Sequence, residues 1–251
     1  AGWLLLLVTM LPAVQPLLGE TLPWTADGLL HFHRLAQLHR SLRHTIPLRT
    51  SPFRWRGVLF PRWAPDMGFG FGFPLFNYYA PLSYYVAEVP LLMGLSTQRA
   101  LLVAFALATF AAGVGAYLWG RDLFGPQAGF VAALAFVYAP YNLYNIVHRG
   151  ALAEAWGLAW LPFILWALRR TSLRGGRISL LLTSLSYAAL ILTHNILALV
   201  STPLLILYAA FLWIRHGRGR RRALLLGGGL VLGLGLTIFF WGPALLEMEY
   251  V

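Results

Sequence analysis

Cysteine and lysine are both missing from these 251 residues, and acidic side chains are scarce: eight, against nineteen arginines. The lack of cysteine excludes disulfides, thiolate catalysis and zinc–thiolate sites, and does not identify the compartment. Charge is short too. Only 11% of the residues are charged, where a soluble domain carries roughly a quarter. Hydrocarbon takes that place: 59% of the residues are hydrophobic and the mean hydropathy is +0.68. This is the composition of an integral membrane protein. Its apolar runs approach the ~20 residues of a spanning helix and do not alternate with period two, so helices rather than a barrel are expected.

Seven segments have the length and apolarity expected of spans: 2–18, 99–119, 127–144, 152–168, 178–193, 196–214 and 223–243. An eighth, 79–95, contains Glu88, Pro81 and Pro90, and is expected to be interfacial or re-entrant. The fold class is therefore all-α and polytopic, a single transmembrane domain over 1–251. The chain opens on Ala1 and closes straight after an apolar run, which gives the expectation of a portion of a longer protein. The first segment has no positive n-region and no Ala-x-Ala site, so it is expected to be an anchor.

The net charge of +11 would suggest nucleic acid in a soluble protein. Here most arginines gather in loops, and no nucleic-acid partner is expected. "RRTSLRGGR" (169–177) and "RHGRGRRR" (215–222) are both expected to be cytoplasmic by the positive-inside rule. The turn between them, Thr193-His194-Asn195, is then outside, as is "NIVHRGALAE" (145–154). Counting back, 19–98 forms a long, partly helical extracytoplasmic loop and the N-terminus is cytoplasmic, provided 79–95 does not span. An anionic lipid or phosphate ligand is a sharper use for the arginines.

Asp27, Arg149, Glu154, His194, Glu247 and Glu249 are thereby expected on one face. Thr25 is a candidate N-cap for a helix that carries Asp27. On that helix Asp27, His31 and Arg34 lie within about 60° of one another, and His33 points elsewhere. A cap stabilised by the helix dipole, with Arg34 paired to Asp27, is the plain alternative. Arg149 and Glu154 could simply close a loop as an ion pair. His194 could be a hydrogen-bonded interfacial histidine. Tyr78, Tyr79, Tyr84 and Tyr85 suit an aromatic belt or a sugar- or lipid-binding groove. "GGGLVLGLG" (227–235) lacks the Lys-Ser/Thr of a phosphate loop and is expected to be a helix-packing face.

The order of these motifs resembles the GT-C superfamily of polytopic glycosyltransferases, which use polyprenyl-linked sugars. The resemblance rests on "TADGLLHFHR", "FPRWAPDMGFGFGFPLFNYYAPLSYY", "YLWGRDLFGPQAGFVAALAFVYAP", "HRGALAE", "LTHNILAL" and "FFWGPALLEMEYV". The last two resemble a bacterial subgroup labelled pyruvoyl-tetrahydropterin-synthase-related membrane proteins. The resemblance implies transfer of a sugar from a lipid-linked donor to an extracytoplasmic acceptor at the bacterial cytoplasmic membrane. Asp27 falls at the first acidic position and would be the general base. Glu154 falls at the second, which in some members helps bind a divalent metal ion or the donor phosphate. Here it is a single Glu rather than Asp-x-Asp, which favours phosphate binding by arginine over a metal. His31, Arg34, Arg149, Glu154, His194 and Tyr78 are the expected substrate-binding residues. Membrane lipids and other membrane subunits are the remaining partners. Two other readings stay open: a non-catalytic subunit that keeps this fold, and a transporter or flippase. The latter expects charges near the bilayer midplane, whereas these sit at helix ends.

Overall fold

The computed structural model describes residues 2–19, 25–45 and 60–250. The 20–24 and 46–59 parts of the first loop lie outside the described residues. The described residues form twelve α-helices: α1 (Gly2–Val14), α2 (Gly28–Thr45), α3 (Leu75–Tyr78), α4 (Leu82–Leu92), α5 (Thr97–Phe124), α6 (Pro126–Val137), α7 (Pro140–Tyr144), α8 (Leu152–Arg174), α9 (Arg177–Thr193), α10 (Asn195–Arg215), α11 (Arg220–Leu236) and α12 (Ile238–Leu246). A π-turn, Asn145–Arg149, follows α7.

The boundaries follow local chemistry. Ser96 caps α5 by accepting from the Arg99 N–H at 3.3 Å, a use of serine that satisfies one of the open donors of the first turn. Gly125, at φ +94°, ends α5, and Pro126 starts α6, where its missing N–H costs nothing. This makes a tight helix pair around "GRDLFG".

α5 packs on α6 and α8, α8 on α9, and α9 on α11. The glycine-rich stretch of α11 does what its composition suggests. A Cβ at Gly229 would stand 2.9 Å from Thr183, and one at Gly233 would stand 2.8 Å from the Ser184 carbonyl. Small residues let the two backbones approach.

Two helices, α5 and α10, are long and apolar enough to cross a membrane, and up to four spans result if each bent pair counts as one. The bent pairs are α6 with 140–149, at 42°, and α11 with α12, at 65°. The segments expected at 2–18 and 178–193 are shorter apolar helices. α8, expected to span, opens on Glu154 and closes on arginines and is outside the candidate set. Two to four candidate spans thus stand where about seven were expected. α4 is 11 residues long, about 16 Å, roughly half of the hydrocarbon thickness. It is too short to be a candidate span on its own.

The first loop is folded onto the bundle. Leu35 and Leu38 of α2, Phe76 of α3 and Tyr84 of α4 share one buried cluster with Leu101 of α5 and Leu152 and Trp156 of α8. Polar contacts fasten the same elements. The buried Glu88 accepts from His39 at 2.6 Å, and Asp66 takes Gln37 and Arg40.

Candidate functional site

Three chain segments close around one cavity of about 210 Å³ at one end of the bundle. The start of α2 brings Asp27, His31 and Arg34; the α7–α8 junction brings Arg149 and Glu154; the α9–α10 turn brings His194. Tyr79 completes the polar lining.

Backbone bonding sets the register. The Asp27 N–H donates to the Arg149 carbonyl at 2.8 Å, and the Ala26 N–H to that of His148 at 3.2 Å. Thr25 caps α2, as expected, by accepting from the Gly28 N–H at 3.0 Å. Gly150 makes the approach possible. Its φ is +65°, and a Cβ there would meet the Thr25 hydroxyl at 2.3 Å. Only glycine tolerates that conformation at no steric cost.

Arg149 sits between the two acids. Its Nη1 donates to Glu154 Oε2 at 2.7 Å and to Asn145 Oδ1 at 2.9 Å, while its Nη2 is 4.0 Å from Asp27 Oδ2. The other oxygen of Glu154 accepts from Tyr141. Both oxygens of Glu154 are thus hydrogen-bonded. Asp27 has no hydrogen-bond donor on its carboxylate among the described residues, and its side chain is 38% exposed. The pairing of Asp27 with Arg34, the plain alternative, is not made among the described residues. Arg34 lies over the Tyr79 ring at 3.9 Å and reaches Tyr84 at 3.4 Å.

His31 has a different place from the one its spacing suggested. Its Nε2 accepts from the Leu152 N–H at 3.2 Å, so Nδ1 carries the proton of the neutral ring and faces the Tyr84 hydroxyl at 2.6 Å. The side chain is 2% exposed. Burial holds the imidazole down at about 3, and Arg34 pushes the same way. His31 therefore joins α2, α4 and the first turn of α8 as a neutral bridge, with both nitrogens occupied.

His194 caps α10. Its Nδ1 accepts from the Leu197 N–H at 3.0 Å, which leaves Nε2–H as the donor of the neutral ring. Burial lowers its affinity for a proton, Glu154 opposes this, and Arg149 reinforces it.

Tyr78 is outside the cavity lining. Its hydroxyl donates to the Glu247 carbonyl at 2.7 Å, and Asn77 donates to the Glu247 carboxylate at 2.8 Å. Glu247 thus meets α3 rather than the cavity, and Glu249 is exposed. The sequence offered Tyr79 a belt or a groove without separating it from Tyr78, and it did not single out Tyr141 and Asn145. A signal existed: Tyr141, Asn145 and Arg149 recur every fourth residue in "YNLYNIVHR".

No group of three or more His, Asp or Glu that could hold a metal ion occurs among the described residues. The Arg149 guanidinium stands between the two carboxylates, so the donor set does not fit a divalent ion.

Fold and cavity together define an all-α membrane protein with a charged, partly open pocket at one end. The chain belongs to the family described as 6-pyruvoyl-tetrahydropterin synthase related domain, membrane protein, whose model matches residues 76–250. It is also similar to an uncharacterized protein of Lactococcus lactis subsp. cremoris (strain MG1363), at 21% identity over 201 residues, covering 77% of this chain. The chain spans about a third, 33%, of that relative's length. No solved structure matches it.

Proposed function

We propose that this chain carries the catalytic face of a membrane glycosyltransferase that moves a sugar from a polyprenyl-phosphate-type donor to an extracytoplasmic acceptor. One observation carries the reading. In a chain with eight acids, Asp27 lines a cavity with its carboxylate uncapped by hydrogen bonds, beside Arg149, Arg34 and His194. Asp27 takes the proton of the acceptor hydroxyl. The acceptor oxygen bonds to the sugar's anomeric carbon, and the bond to the carrier phosphate breaks with its electron pair leaving on phosphate. Arg149 and Arg34 neutralise that charge, and His194 offers a neutral N–H. A positioned base contributes about 10²–10⁴-fold, and preorganised cations stabilise the departing anion.

The same reading makes α1, α8 and α9 spans alongside the candidate ones, giving about seven, in a bacterial cytoplasmic membrane with the N-terminus inside and the cavity outside. The whole protein's substrates, membrane lipids and subunit partners belong to this proposal.

A second reading, a non-catalytic subunit, draws on the engagement of both Glu154 oxygens by Tyr141 and Arg149. The deciding experiment gives the full-length protein in lipid a set of radiolabelled polyprenyl-phosphate sugars and candidate acceptors. Sugar release that Asp27→Asn removes, with the melting temperature unchanged, is expected. No turnover by the wild type with any donor favours the subunit reading.

A further inference from the structure

We propose that the end of the bundle opposite the cavity is a binding surface for the headgroups of anionic phospholipids. Glu154 stands in the first turn of α8 and Arg174 at its last residue. Twenty residues of helix separate them by about 30 Å, the thickness of a bilayer's hydrocarbon core. With α8 spanning, as in the proposed function, the second face lies at the other membrane boundary.

The two arginine-rich loops of that face are built into one surface. Arg222 of α11 donates to the Ser172 carbonyl of α8 at 2.9 Å and to the Gly217 carbonyl at 2.8 Å, and also contacts the His216 carbonyl. Ser172 and His216 are hydrogen-bonded at 2.9 Å, and Trp213 donates to the Gly219 carbonyl at 3.3 Å. Arg222 is thus spent on joining the 216–219 loop to α8. Asp122, an acid at this face, is already engaged: Arg170 is 3.8 Å from its carboxylate, Arg121 lies at the same distance, and Arg169 donates to its carbonyl.

Six arginines are left over. Arg174, Arg177, Arg215, Arg218, Arg220 and Arg221 are all exposed. This exceeds a topology signal: the loops are held in register by side-chain bonds, and the guanidinium fork matches phosphate oxygens bidentately.

What distinguishes a lipid from a soluble polyanion is the flanking surface. Leu173, Ile178 and Ile214 adjoin Arg174, Arg177 and Arg215 in sequence, Leu224 lies three residues from Arg221, and the four are exposed at 49%, 76%, 53% and 64%. A phosphate above and acyl chains beside match that mixture. A nucleic acid or a phosphorylated metabolite has no acyl chain to lie against those flanks.

The test uses purified full-length protein in membranes with spin-labelled phosphatidylglycerol or phosphatidylcholine as the probe. Attraction of the arginines to anionic headgroups predicts a preference for phosphatidylglycerol of roughly 3–10-fold at low salt. It should approach unity in 1 M salt, where the Debye length is about 3 Å. Arg218→Gln/Arg220→Gln/Arg221→Gln with Arg174→Gln/Arg177→Gln should abolish it. Arg222 is left intact so that the loops stay joined. The salt titration of the wild type decides the matter if the variant does not assemble. A wild-type ratio near one, or a ratio insensitive to salt and substitution, overturns the proposal. So does tight binding of a single-stranded oligonucleotide that phosphatidylglycerol leaves unchanged. The proposal rests on the part of that reading in which α8 spans; because these residues lie away from the cavity, its failure and the failure of the transfer chemistry are distinguishable.

Discussion

The α-carbon of Gly150 sits against the side chain of Thr25: a Cβ there would stand 2.3 Å from the threonine hydroxyl and 2.8 Å from its Cβ. This contact joins the start of α2 to the loop before α8, and so brings Asp27 to Arg149. Gly150→Ala would meet both a left-handed backbone, which costs about 1–2 kcal/mol for an L-residue, and an overpacked contact, which costs about 1–3 kcal/mol. The expected result is a loss of at least about 2 kcal/mol, read as a lower melting temperature in lipid. Thr25→Ala should cost only the cap, about 1 kcal/mol.

Glu154 acts on the cavity through Arg149. In Glu154→Gln the 2.7 Å ion pair is lost and Arg149 is free to close its 4.0 Å distance to Asp27. A nearer cation lowers a carboxylate's pKa. The acid limb of the transferase pH–rate profile should therefore move to lower pH, and turnover should fall by about 10²-fold from misplacement of the base and cation. Stability should change little, because a partly exposed ion pair contributes about 0–1 kcal/mol.

The neutral, buried His31 makes the fold acid-sensitive. Its folded-state value, about 3, is below the ordinary 6.5, so the unfolded chain binds the extra proton. The stability this residue contributes is whole above pH 6.5 and is lost as pH falls toward 3. Between pH 7.5 and 5 the loss is about 2 kcal/mol. His31→Gln should have a lower melting temperature at neutral pH, and its further drop at pH 5 should be smaller than the wild type's by that amount.

The two adjacent tyrosines should behave differently. Tyr79→Ala removes the ring under Arg34 and should raise the donor KM, while Tyr79→Phe, which keeps the ring, should not. Tyr78→Phe loses one hydrogen bond to the Glu247 carbonyl, about 1 kcal/mol of stability, and should leave the donor KM unchanged.

Composition alone determined the class. A chain this poor in charge and rich in apolar runs has to satisfy its backbone internally, so it is helical. The charged residues at helix ends were legible for the same reason: lipid tolerates them poorly elsewhere. Asp27, Arg34, Arg149, Glu154 and His194 could therefore be singled out before any coordinates, and they line one cavity. Partner choice was not legible. Local spacing offered Asp27 to His31 and Arg34, yet Tyr84 and the Leu152 N–H, 53 and 121 residues away from His31, claim its two nitrogens. Tyr79 rather than Tyr78 lines the cavity because α3 ends between them and the chain turns extended at Tyr79. Span number also depended on structure, since bends of 42° and 65° divide runs that read as continuous hydrocarbon. Hydropathy is a property of a segment and can be summed along the chain. A hydrogen bond needs two groups at one point in space, and only the packing of α2 and α4 on α5 and α8 decided which groups met.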